Sequence, residues 1–206
     1  MLYWKNHWKN HWKNGFLNLF ILLVMGCAVF WHNGVLAAEI TQFQAERNEE
    51  GVLVSSQVRF DIPSVVEDTL SKGIPLFFVM DGAVVRERWY WIDKKVCTAE
   101  RRIRLAFQPL TRRWRLSVAT GSSDSTLGLT LSRNFDSLSE ALSSLKRVAR
   151  WNICDANTLG ELDAGSRYRV DFRFRLDVNE LPRPFQIGAI GQADWDISAS
   201  MSQVLR

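Results

Sequence analysis

Bulky apolar and polar side chains alternate at period two along most of the chain beyond residue 40, and each such run predicts a strand with one dry face. The clearest is Tyr168–Leu176. There Tyr168, Val170, Phe172, Phe174 and Leu176 share one face, and Arg167, Arg169, Asp171, Arg173, Arg175 and Asp177 the other. Ile40–Arg47 and Val52–Ile62 read as a hairpin closed by Asn48–Gly51, with Val52, Val54, Val58, Phe60 and Ile62 on one side of its second strand. Ile74–Val85 is too uniformly apolar for a wet face and predicts a central strand, in which Asp81-Gly82 suggests a bulge or a turn. Alternation resumes over Arg86–Leu116 as two or three neighbouring strands. Trp89 and Trp91 oppose Arg88 and Tyr90, Ile103, Leu105 and Phe107 oppose Arg102 and Arg104, and Trp114, Leu116 and Val118 oppose Arg113, Arg115 and Ser117. Asp93–Lys95 and Pro109–Arg112 read as the turns between them.

Elsewhere the period changes. Ser64-Val65-Val66-Glu67 after Pro63 has the form of a capping box, opening a short helix that Gly73 ends. Ser137-Leu138-Ser139-Glu140 offers a second box, and Leu138, Leu142, Leu145 and Val148 keep helical spacing to about Ala149. Gly121–Gly128 reads as a loop, Trp151–Cys154 as a short strand, Leu181–Phe185 as a rigid extended connector with two prolines, and Ile187–Ser200 as a last strand. These elements describe an α+β protein: a mainly antiparallel curved sheet or β-sandwich-like domain with two short helices.

The first 38 residues have a different composition. Lys5, Lys9 and Lys13 precede an apolar run from Phe16 to Trp31, and Val35-Leu36-Ala37 is a small-residue cleavage signal. That order is the pattern of a signal peptide cut near Ala37 or Ala38, or of an uncleaved membrane anchor, with the rest of the chain outside the cytoplasm in either case. Cys27 after Val24-Met25-Gly26 resembles a lipoprotein processing site, but the apolar run continues past it through Phe30, as in an ordinary signal segment. Trp4, Trp8 and Trp12 recur every four residues, which suits either a membrane interface or a discarded leader. The reading is therefore residues 1–38 as signal peptide or anchor and residues 39–206 as a single exported domain, in the periplasm or held at the inner membrane.

The leader also alters the charge balance. The whole chain carries a formal +4, but every Asp and Glu lies at or beyond Glu39, and from there 23 basic residues face 22 acidic ones. A nearly neutral body gives no support to nucleic-acid binding, which needs a one-sided basic surface. All three histidines (His7, His11, His32) belong to the leader region, so the body has no histidine for a catalytic triad, a zinc site or acid–base work. Phosphate loops, dinucleotide fingerprints and calcium loops are likewise absent from the sequence, and no cofactor is indicated.

What remains is a short list. Asp194 and Asp196 flank Trp195, which period-two geometry reads as two solvent-facing acids around an inward Trp, with glycosidase-like chemistry the remoter alternative. Arg102, Arg104, Arg113, Arg115, Arg169, Arg173 and Arg175 are a possible interaction face. Neighbouring strands would gather them either into a groove for an anionic ligand or lipid headgroup, or into a ladder of cross-strand ion pairs. Cys97 and Cys154 are a possible disulfide, or two buried thiols.

Taken together, Gly73-Ile74-Pro75-Leu76, Arg88-Trp89-Tyr90-Trp91 with Ile92 and Asp93, Leu110–Leu116, Phe135–Leu142, and Leu176-Asp177 followed by Leu181-Pro182-Arg183-Pro184-Phe185 resemble a proteobacterial exported family. It is the family catalogued as domain of unknown function 4390, and the likeness spans roughly Ile40–Ser200. The resemblance carries no catalytic residues over, and Cys97 and Cys154 fall outside its pattern. It implies a non-enzymatic envelope module. By genetic association it also implies a partner that is a membrane sensor kinase or another envelope protein.

Overall fold

The hairpin forms where the alternation places it. β1 (Glu39–Asn48) and β2 (Gly51–Arg59) pair antiparallel, and the Asn48 side chain accepts from the Glu50 and Gly51 amides to hold the turn. In this computed structural model the described residues are 38–88, 93–121, 129–160 and 166–205, and Leu36–Arg206 form one compact unit. The expected signal or anchor segment lies outside them, as do Trp89, Tyr90, Trp91 and residues 122–128 of the expected loop.

Among the described residues nine strands make two sheets. Sheet A has the order β1-β2-β7, with β7 at Arg147–Asp155. Sheet B has the order β6-β5-β4-β3-β8-β9, built from β3 (Leu76–Arg86), β4 (Lys94–Gln108), β5 (Arg113–Gly121), β6 (Leu129–Phe135), β8 (Tyr168–Leu176) and β9 (Ser198–Val204). Every pairing is antiparallel, and the α+β, sandwich-like class read from the sequence is the one observed.

Sheet A lies over the β9-β8-β3-β4 part of sheet B. Phe43 and Trp151 meet Phe172, and Phe60 meets Phe78 and Phe174, with ring centroids 5.3–6.4 Å apart. The inner faces of β2 (Val52, Val54, Val58), β3 (Phe78, Met80, Val84) and β8 (Val170, Phe172, Phe174) are fully buried. Where sheet A ends, helix α2 (Leu138–Leu145) continues the cover over β5 and β6 and buries Ala141 and Leu145. Helix α1 (Ser64–Ser71) closes one end of the core with Val66 and Leu70. A disulfide joins Cys97 of β4 to Cys154 of β7 and so links the two layers, with Cα atoms 5.4 Å apart.

Several expectations need correction. Ser64 does not cap α1: the helix starts one residue earlier, on Pro63, whose carbonyl accepts from Val66 and Glu67, and Ser64 is already helical. Gly73 does end α1, at φ +83°. The Ser137 box forms its first bond, Glu140 N–H to Ser137 Oγ, but α2 stops at Leu145, and Val148 and Ala149 belong to a nine-residue strand. That strand has a partner, β2, so ladder hydrogen bonds outweigh the helical spacing.

Asp81-Gly82 is neither bulge nor turn, because both residues pair in regular register with β4 and β8. Glycine is required at 82 by packing: a Cβ there would lie 2.7 Å from Ile153 Cγ2 and 3.3 Å from the Trp151 ring. After a 3-10 turn (Val178–Glu180), the extended connector and long last strand read over 181–200 are instead helix α4 (Arg183–Ala189), a second 3-10 turn (Ala193–Trp195) and the start of β9. Pro182 caps α4 and Pro184 sits in its first turn, where proline fits a helix. A short helix α3 (Ala156–Gly160) follows β7. The described helices thus number four rather than the two expected.

Candidate functional site

The register of sheet B decides where the arginines go. Phe77 pairs with Arg104, Val79 with both Arg102 and Arg175, Asp81 with Glu100 and Arg173, Ala83 with Asp171, and Val85 with Lys95 and Arg169. On β5, Ser117 pairs with Arg104, which puts Arg113 and Arg115 on the same side. All seven candidate arginines therefore share the face of sheet B that points away from sheet A. β9 completes it with Ser198 beside Arg175, Ser200 beside Arg173 and Ser202 beside Asp171.

The face is part ladder and part open charge. Arg102 bonds Glu100 and reaches Glu180 at 3.2 Å. Arg175 lies 3.5 Å from Asp81 and 3.4 Å from Asp177. Arg169 gathers Asp93 at 2.8 Å, Asp171 at 3.0 Å and Glu87 at 3.8 Å. At the rim, Arg113 pairs with Asp136 at 3.1 Å and Arg115 donates to Asn134. Among the described residues, Arg104 and Arg173 have no such partner, and both are exposed. Val79 is only 1 % exposed although it lies on this face, because the stems of Arg102 and Arg175 flank it.

The titration behaviour follows the pairing. The hydrogen bond to Glu100 raises the Arg102 pKa, and bonds to Asp171 and then Asp93 raise that of Arg169. Asp93 is held below the ordinary aspartate range, first by the Arg88 backbone N–H and next by Arg169.

The centre of the face is concave, a groove of about 900 Å³ open to solvent. Asp81, Lys95, Glu100, Asp171, Arg173 and the β9 serines line it, with small Ala83 and Thr98 at the floor. Short side chains in the middle and long charged ones around them produce the hollow. Among the described residues there is no group of histidine, cysteine and carboxylate side chains able to hold a metal ion.

Other candidates separate in space. Asp194 and Asp196 are exposed on either side of buried Trp195 in a 3-10 turn, and Asp196 accepts from Ser198 Oγ. Asp81, read as a turn residue, is in mid-strand. Two features escaped the sequence reading. The β9 serines belong to no predicted face, because the expected last strand ends at Ser200 whereas β9 runs from Ser198 to Val204. Arg101 points the opposite way from its neighbours, into the sandwich, with its guanidinium 5.1 Å from the Trp151 ring centre. Its Nε and the Trp151 Nε1 are buried without acceptors among the described residues, and burial lowers the Arg101 pKa. Strict alternation on β4 was the available signal: with Arg102 and Arg104 outside, Arg101 must face in.

A family model described as Domain of unknown function (DUF4390) matches residues 36–204. The chain belongs to this family. The match begins just ahead of β1 and ends at the last residue of β9, so the family unit includes both sheets and the whole grooved face. No curated protein and no solved structure matches the chain. No helix among the described residues is long and apolar enough to cross a membrane.

Proposed function

We propose that this DUF4390 chain is an exported, non-enzymatic interaction module whose working surface is the outer face of sheet B. The observation that carries the reading is the collection of seven arginines on one exposed, hollowed face, two of them without a partner among the described residues. A solvated face kept soluble by a ladder alone would neutralise them all. The groove is wide, shallow and lined by hydroxyl and charged groups, which suits an extended polar partner surface rather than an engulfed apolar ligand. A cross-sheet disulfide and a signal-like leader favour the periplasm, where an envelope protein such as a membrane sensor kinase is the partner proposed.

The second reading is a binder of small anions or lipid headgroups, favoured by unpaired Arg104 and Arg173. Arg104 does not line the groove with Arg173, so these two guanidinium groups do not converge on one small anion.

The test is chemical cross-linking and capture from detergent-solubilised envelopes, comparing the wild type with Arg104→Glu/Arg173→Glu. One specific partner, lost in the double variant, supports the module. Recovery of abundant contaminants alone, or the same capture by both proteins, refutes it.

A further inference from the structure

β9 is an open edge. Leu176 N–H donates to Ile197 O and Leu205 N–H to Tyr168 O, so with Arg175 opposite Ser198 the odd-numbered residues of this strand exchange hydrogen bonds with β8. The N–H and C=O groups of Ser198, Ser200 and Ser202 therefore point away from β8. Among the described residues no strand pairs with them. Natural sheets guard such edges with charge, proline or a bulge. β9 reads Ser-Ala-Ser-Met-Ser-Gln-Val: it has no charge and no proline, and its register against β8 has no shift.

The same three serines form one wall of the groove. A strand added at this edge would place alternate side chains in the rows that cross it. A residue opposite Ser200 would extend the row Ser200–Arg173–Asp81–Glu100. Its Cα would lie about 10 Å from that of Arg173, two strand spacings away, with only a serine between. An arginine and a glutamate together span that gap. The charge to be met is positive, because Glu100, Asp81 and Asp171 are already held by Arg102, Arg175 and Arg169, while Arg173 and Lys95 are not held by any described residue. The intervening residues of the added strand would lie over the other face, along Met201, which is 39 % exposed, and apolar side chains fit there.

We propose that β9 and the adjoining groove receive an extended acidic segment of a partner protein as a seventh strand, with a carboxylate opposite Ser200 engaging Arg173. This rests on the outer face being the working surface and names the partner's chemistry and its mode of docking.

The test uses the purified full chain in mild detergent. Two fluorescein-labelled peptides, one alternating valine with glutamate and one alternating valine with lysine, are titrated by fluorescence anisotropy. The glutamate peptide binds and the lysine peptide does not. Ser200→Pro removes an outward N–H while leaving the bonds to β8, and weakens binding at least about tenfold. Arg173→Glu weakens it similarly and transfers preference to the lysine peptide. Ser202→Pro serves if Ser200→Pro fails to fold. Equal binding of both peptides, binding of neither, or binding untouched by either proline overturns the proposal. So does a wild-type dimer that Ser200→Pro dissociates, since a second copy would then own the edge. Envelope capture that survives Ser200→Pro but is lost in Arg104→Glu/Arg173→Glu leaves the working surface standing and removes strand addition alone.

Discussion

Breaking the Cys97–Cys154 link measures how far the two sheets depend on one covalent tie. The cysteines are 57 residues apart in sequence and lie on different layers. Constraining a loop of that length in the unfolded chain contributes about 4 kcal/mol by the loop-closure relation. For a chain of this size each kcal/mol moves the melting temperature by about 2–4 °C, so reduction should lower it by roughly 8–16 °C. The cleanest comparison is the wild type melted with and without a phosphine reductant, since the side chains are unchanged. Cys97→Ala/Cys154→Ala should fall slightly further, because Cys154 is buried and its sulfur leaves a small void. Alkylation in denaturant before reduction, read by mass, should find neither thiol free. A melting shift below about 3 °C, or two alkylated thiols in the untreated protein, refutes the reasoning.

Gly82→Ala should cost about 1–3 kcal/mol in chemical denaturation, since its Cβ meets Ile153 Cγ2 at 2.7 Å. Adding Ile153→Ala should cost less than the sum of the two single changes, and strict additivity would refute the close approach. Arg101→Met should stabilise the protein by up to about 1 kcal/mol, because removing a buried donor without an acceptor outweighs the lost stacking on Trp151. A loss of stability in urea would show that Arg101 is satisfied. Asp93 has a lowered pKa, so its contribution is present at neutral pH and is lost only as pH falls through its folded value, below the ordinary 3.8. Carboxyl carbon shifts followed by NMR should show this, with Arg169→Ala moving the titration back upward.

The parts legible in the sequence were those where one physical rule acts alone. On β8 strict alternation between a fully buried aromatic face and a charged one admits only one placement, and the seven candidate arginines did fall on one face. Rules in competition misled. Val148 satisfies helical spacing, yet β2 pairs it with Ser56. The prolines near residue 183 suggest extension but also suit a helix start, and that displaced β9 and hid its serines. Gly82 looked like a break in β3 because its reason, the Trp151 and Ile153 side chains of another sheet, is distant in sequence. Which arginines stay unpaired was not readable at all, since it depends on registers across four strands.

The pairing order also sets a timetable. β1 with β2, and β3 through β6, are neighbours in sequence and can associate as soon as each is made. The third strand of sheet A and the second neighbour of β3 arrive much later: β2 waits for β7 at Arg147–Asp155, and β3 waits for β8 at Tyr168–Leu176. Until then the inner side of β3 lacks the part of its cover that β7 supplies, the Trp151 and Ile153 side chains over Gly82. A chain delivered from its N-terminus therefore carries its most apolar strand incompletely covered from Arg86 until β7 and β8 emerge, and folding completes only when these late strands arrive. C-terminal truncation ahead of Tyr168 should leave an aggregating product rather than a smaller folded one.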